Sequence, residues 1–190
     1  MSCETGIFKA ITSDCSKQPI GGLEVNAWLF NRMELVLTFD NTNPSKITDL
    51  VTAAATKGYL LKGVKKLLNA GHSVVVADDR ADRYTHKFDF QGFEFDTASV
   101  EGLDQLADLV VVVEAKNKIA TNDGTFVAYG VKSGLFKTTD ERMFNDVGGA
   151  RKISLATRGG EEEVYSNYTI LKTDYATTKA MLTTAMSVPA

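Results

Sequence analysis

The chain is poor in the residues from which most recognisable active sites are built. Among 190 residues there are two histidines, His72 and His86, and two cysteines, Cys3 and Cys15. The cysteines form no C-x-x-C pair, and no group of His and Cys has the spacing of a zinc site. In a chain made in the cytoplasm both are expected as reduced thiols, while an oxidising setting would allow them to bond. No G-x-S-x-G elbow, G-x-G-x-x-G fingerprint or P-loop is present, so the glycine pairs Gly21-Gly22, Gly148-Gly149 and Gly159-Gly160 read as turns. No apolar run approaches the roughly 20 residues that a spanning helix needs. The first ten residues lack a basic start followed by an apolar stretch, so no cleaved leader is expected. The formal net charge is -3 and no basic stripe stands out, which argues against nucleic acid as the main partner. With only 3 prolines against 15 glycines, turns must rely on Gly, Asn and Asp.

What is present is strand pattern and a core's worth of apolar residues, 44% of the chain, fitting a single β-rich domain over 1–190. Tyr84, His86, Phe88 and Phe90 alternate with Thr85, Lys87 and Asp89, as in a half-buried strand. The aromatic parity flips at Gln91-Gly92, so a bulge is expected there, followed by Phe93 and Phe95 on the same bent strand. Asp96, Thr97 and Ser99 are candidate N-caps for a short helix through Val100, Leu103, Leu106 and Ala107. Leu109 to Val113 is unbroken and apolar, which predicts a strand buried on both faces.

Elsewhere, strands are expected at Gly6–Thr12 within an N-terminal arm (1–22), at Leu23–Phe30, Met33–Phe39, Ser73–Ala77 and Thr125–Val131. Asn69 to Gly71 reads as a stop. Lys152–Thr157 and Glu163–Ile170 read as a hairpin across Arg158 to Glu161. The spacing within 47–68 favours helix, with two short strands around Gly58 as the competing pattern. Segment 135–150 reads as an extended irregular loop, and 177–190 as a C-terminal tail with modest helical spacing. His86 reads as a packed histidine rather than a catalytic or metal-bound one. Asp78, Asp79 and Asp82 lack calcium-loop spacing and read as a solvated turn. Glu161 to Glu163 reads as a solvated hairpin tip, with a negative rim or lumen as the sharper alternative. No catalytic residue, cofactor or metal ligand is expected. Apolar residues in such an irregular segment either tuck back onto the domain or dock on a partner, so Phe136, Arg142, Met143 and Phe144 are candidates for contact with another subunit.

The order of these features resembles bacteriophage tail tube proteins, especially those of phages and prophages of Bacteroides-type bacteria. The resemblance rests on Cys3 to Gly22 ending Pro19-Ile-Gly-Gly22 and on the Tyr84-Thr-His86 strand with its alternating phenylalanines. It rests also on Leu109 to Val113 followed by Glu114-Ala-Lys-Asn117, and on Phe126 to Leu135 with Tyr129-Gly130 and Ser133-Gly-Leu135. It implies a mainly β (α+β) fold of two packed, mostly antiparallel sheets forming a barrel or sandwich with a flanking helix. It implies also a homo-oligomeric ring, commonly six-fold, stacked into a tube in the virion tail, with other tail and neck proteins as partners. DNA would pass through an acidic lumen without specific binding, and 136–144 would reach a neighbouring subunit. Head–tail adaptors and neck proteins share related folds. A β-domain that binds a small molecule or a protein is the alternative from another class.

Overall fold

The run Leu109–Val113 sits at the centre of the molecule, inside strand β7 (Leu109–Ala115), where every residue up to Glu114 is buried. The computed structural model describes residues 21–53, 56–63, 67–78, 81–93, 96–116, 118, 123–145 and 147–187. Cys3, Cys15, the expected strand Gly6–Thr12 and Phe95 lie outside them. The other strands are β1 (Leu23–Asn31), β2 (Leu35–Phe39), β3 (Lys46–Thr52), β4 (Tyr59–Lys62), β5 (Asn69–Val75), β6 (Arg83–Gly92), β8 (Phe126–Tyr129), β9 (Phe136–Arg142), β10 (Arg151–Ala156) and β11 (Tyr168–Ile170). Two α-helices, α1 (Thr97–Asp104) and α2 (Tyr175–Thr184), and the 3-10 turns Arg32–Glu34 and Val147–Gly149 complete the described elements. One sheet has seven strands in the order β2-β3-β11-β8-β7-β1-β4 and the other four, β5-β6-β10-β9. All pairs are antiparallel except β3 with β11.

The seven-stranded sheet is forced to curl. β1 and β2 are separated by four other strands in the hydrogen-bonded order, yet only the 3-10 turn Arg32–Glu34 joins them. In a flat sheet they would lie roughly 24 Å apart, five steps of about 4.8 Å. The four Cα steps from Asn31 to Leu35 reach at most about 14 Å. The sheet therefore bends back on itself, and β2 faces β7 without pairing to it. It does not close: the architecture is a sandwich, and the barrel alternative is not realised.

Curling gives this sheet two apolar faces. Inside the curl, Trp28 and Phe30 of β1, Val110 and Val112 of β7, Phe126, Tyr168 and Ile170 pack with Leu182 and Ala185 of the α2 end. On the outer face, Ala27, Leu29, Val111 and Val113 meet Phe88, Phe90, Ile153 and Leu155 of the four-stranded sheet. Alternate residues of β1 and β7 thus enter different cores, which is why both strands read as continuous apolar runs. Burying each large side chain contributes about 1.5–3 kcal/mol. Helix α2 starts at a reciprocal cap between Asp174 and Thr177 and lays Thr178 and Leu182 into the curl. Helix α1 starts at Asp96, whose carboxylate accepts from Ser99 N. Lys137 Nζ donates to the Leu103 and Asp104 carbonyls at its other end, 2.9 and 3.2 Å away.

Several expectations are corrected. Segment 47–68 is not helical where it is described. Lys46–Thr52 is β3, and Tyr59–Lys62 is β4. Ile47 and Leu50 share the core at a spacing of three because the β2–β3 register shifts there, leaving Thr48 as an extra residue. A bulge thus imitates a helical interval. No bulge occurs at Gln91-Gly92: the β6–β10 register runs unbroken through both, and the strand ends at Gly92 with Phe93 exposed. Asn69 to Gly71 does not stop a strand but opens edge strand β5. β10 and β11 are not a hairpin, since each belongs to a different sheet and the chain crosses between them. Segment 135–150 is not an extended loop over its first half. β9 escapes the period-two test because the position facing Ile153 is Asp140, held there by an ion pair rather than by apolar contact.

Gly58 illustrates how tightly the curl is filled. A Cβ there would overlap the Met186 methyl and lie 2.5 Å from Phe30 Cε1. Gly58→Ala is expected to destabilise the fold by about 1–3 kcal/mol through overpacking. Gly71→Ala, with nothing within 4 Å of the added carbon, should be near neutral. Urea denaturation midpoints of the two variants measure the difference.

Candidate functional site

Two fully buried ionisable residues, His86 and Glu163, lie where the two sheets and the 157–167 connection meet. His86 of β6 is fully buried, its parity set by the alternation that also buries Phe88 and Phe90. Its Nδ1 accepts from Gly130 N at 3.0 Å. Its Nε2 lies 2.8 Å from the Tyr165 carbonyl and donates to it. That pair of contacts defines the neutral Nε2–H tautomer. Gly130 has φ +75, and a Cβ would lie 2.7 Å from the Leu109 carbonyl oxygen, so glycine is required at this approach. The backbone N of His86 donates to Thr157 Oγ1 at 3.2 Å.

Glu163, fully buried beside it, accepts from Lys132 N and Ser133 N at 2.8 and 2.9 Å and from the Tyr168 hydroxyl at 3.1 Å. Burial, with Glu163 adjacent, pushes the Tyr168 phenol well above its usual range. Burial also lowers the His86 pKa below its ordinary value, against the opposing influence of the Tyr165 carbonyl and Glu163. This corrects the expectation of a solvated Glu161–Glu163 tip: Glu161 is exposed, but Glu163 points inward and bridges to Tyr84 through its backbone. The sequence offers no signal for that, because three consecutive glutamates do not reveal which one turns inward.

Two ion-pair groups tie the helices down. Burial would raise the Glu114 pKa, but hydrogen bonds from Tyr175, Lys118 and Lys179 outweigh it and hold the carboxyl below its usual value. Lys118 is pushed up to about 12 by the same contact. Asp140 is held down to about 2, chiefly by Arg151, which also pairs with Asp104 of α1. The Arg151 group borders an open hollow of about 490 Å³ lined by Val100, Asp104, Asp140, Arg142 and Arg151. Arg151 and both carboxylates there are already engaged with one another.

The four contact candidates are split. Phe136 is half-buried at the start of β9, with the Arg158 guanidinium 3.7 Å over its ring. Arg142 ends the strand directly opposite Arg151. Met143 and Phe144 follow it and are 63% and 73% exposed. Phe136 therefore lies a strand's length from the other three. Among the described residues, no three His, Cys, Asp or Glu side chains gather as a metal would require. Asp82 Oδ1 accepts from Ala77 N, a local turn contact. No described helix is long and apolar enough to cross a membrane.

A second cavity, about 270 Å³, opens at the seam where the curled sheet fails to close. Leu35, Leu37 and Phe39 of β2 face Val110 and Val131, with Arg32 and Lys132 at the rim. Arg32 is bound to Asp108 through two hydrogen bonds of 2.6 and 3.1 Å. The Lys132 ammonium lies 4.4 Å over the Phe39 ring. No protein family, curated protein or solved structure matches the chain.

The His86 contacts carry a pH consequence. Protonation would put a hydrogen on Nδ1, facing the Gly130 N–H. The folded-state pKa is below the unfolded value near 6.5, so the unfolded chain binds more protons between the two. Stability is therefore full above about pH 6.5 and falls as pH drops toward the folded value. Urea midpoints should decline from pH 7 to 5.5. In His86→Gln, which keeps a donor and an acceptor but does not titrate, that decline should flatten.

Proposed function

We propose that this chain is a non-enzymatic structural subunit that self-assembles into homo-oligomeric rings, as the resemblance to phage tail tube proteins implies. Stacked rings would form a DNA conduit in a virion tail, joined to other tail or neck proteins, from subunits made in the host bacterial cytoplasm. The observation that carries this reading is the set of open sheet edges. β2 and β4 end the seven-stranded sheet, β5 and β9 the four-stranded one, with no further strand on them among the described residues. Exposed apolar residues lie on or beside each: Met33 and Val36, Tyr59 and Leu60, Val74, then Met143 and Phe144. An open apolar edge pairs readily with another chain, and a closed ring covers it in every copy. The engagement of Glu114, Asp140 and Arg151 in internal ion pairs supports the reading too.

A head–tail adaptor or neck ring would use the same edges. The seam cavity favours a second reading, a β-domain that holds a small amphipathic molecule between apolar walls with a cation at the rim. Negative-stain electron microscopy of concentrated protein, with its mass in solution, separates the two. Rings or hollow tubes are expected. A chain that stays monomeric at every concentration and binds a small ligand would move the assignment to the second reading.

A further inference from the structure

The turn between β8 and β9, residues 130–135, is held down by two buried titratable side chains. Gly130 N donates to His86 Nδ1 at 3.0 Å, and Lys132 N and Ser133 N donate to Glu163 Oε1 at 2.8 and 2.9 Å. Its far end is pinned by the backbone pair of Leu135 with Leu109. β8 belongs to the seven-stranded sheet, and β6, which carries His86, to the other. The His86–Gly130 bond therefore ties one sheet to the other, and losing it breaks no strand pairing. Val131 and Lys132, in the middle of the turn, form part of the seam wall that faces β2. The Lys132 ammonium lies 4.4 Å over the Phe39 ring of that strand.

A neutral His86 holds Gly130, and an imidazolium cannot. Nε2 already carries a hydrogen and donates it to the Tyr165 carbonyl. A proton taken from solvent goes to Nδ1, onto the lone pair that accepts from Gly130 N. The bond is lost, and two N–H groups then face each other. The ionisable groups around the ring are Glu163 and Tyr165 of the crossover, Tyr129 of β8, Tyr168 of β11 and His72, directly opposite on edge strand β5. Burial opposes the charged ring most and His72 adds to it, against Glu163 and the backbone at Tyr165 and Ser166. The charged ring is therefore favoured only where the turn has opened and water reaches it. We propose that the 130–135 turn is a pH-sensitive latch: proton uptake at His86 Nδ1 releases Gly130 and lets the turn carry Val131 and Lys132 away from β2. Opening and protonation are one equilibrium, so acid widens the seam while both sheets keep their strand pairs. The loss of stability in acid begins at this turn rather than with the whole fold. The latch operates whether or not the chain forms rings.

The test is amide hydrogen exchange of the full chain, followed by NMR from about pH 7.5 to 5 and read as protection relative to the intrinsic rate at each pH. The Gly130, Lys132 and Ser133 amides should be less protected than the Val111 and Val112 amides of β7 at every pH, as a local opening requires. Below about pH 6.5 their protection should fall by about tenfold per pH unit, levelling off at the folded-state pKa of His86. His72→Asn, at an exposed edge position, should leave this dependence in place. His86→Gln should abolish it with the circular dichroism spectrum unchanged. If His86→Gln does not fold, the unaltered chain and His72→Asn still decide. Turn amides as well protected as those of β7 would mean that only the whole fold opens, and would overturn the latch. So would turn protection that is independent of pH, a dependence that disappears with His72, or one that persists in a folded His86→Gln.

Discussion

Everything in this molecule depends on the sharp return between β1 and β2. Three residues of 3-10 helix connect strands that lie nearly at opposite ends of the seven-stranded order. The connection is too short for a flat sheet, so the sheet must curl. The turn is fixed at both levels: Arg32 N donates to the Asp108 carbonyl at 3.0 Å, and the Arg32 guanidinium binds the Asp108 carboxylate. Asp108 itself has φ 52, a conformation uncommon outside glycine, immediately before the central strand. Curl, seam and double-sided core all follow from that one constraint.

A sheet with two apolar faces needs two covers, and the chain supplies different ones. The four-stranded sheet covers the outer face, and α2 with its C-terminal turn fills the inside of the curl. Joining layers this way leaves backbone groups stranded where the chain crosses between sheets. His86, Glu163 and Thr157 satisfy them, and the Tyr168 hydroxyl donates to the Glu163 carboxylate. Orphaned buried donors cost about 1–3 kcal/mol each, so these side chains are better understood as the fastening of the crossover than as a reactive centre. The neutral tautomer of His86 follows from the same geometry, one nitrogen accepting from Gly130 and the other donating to Tyr165.

The edges differ in character. β9 is crowded with charge along Lys137, Asp140, Glu141 and Arg142, a pattern that discourages indiscriminate strand pairing. Its exposed apolar neighbours stand beyond the strand, at Met143 and Phe144. β2 and β4 expose Val36, Tyr59 and Leu60 instead, and Val36 faces the equally exposed Val51 directly across the β2–β3 pair.

Legible from residue pattern were the β-rich class, the strand alternation from Tyr84 to Phe90, the helix capped at Asp96, and the double burial of Leu109 to Val113. Each is a local signal of alternation, capping or unbroken apolar run, and none depends on a distant partner. His86 was legible as a packed residue for the same reason. Tertiary structure alone decided the curl, because hydrogen-bonded order is a property of pairs far apart in the chain. It decided also that Ile47 and Leu50 flank a bulge rather than a helical turn, since a spacing of three is shared by both. It placed β9 where pattern showed only charge, because Arg151 on a neighbouring strand binds Asp140 at the position opposite Ile153. It split Phe136 from Arg142, Met143 and Phe144 once their segment became an extended strand. And it turned Glu163 inward, since only folding brings the Lys132 and Ser133 amides and the Tyr168 hydroxyl to one carboxylate.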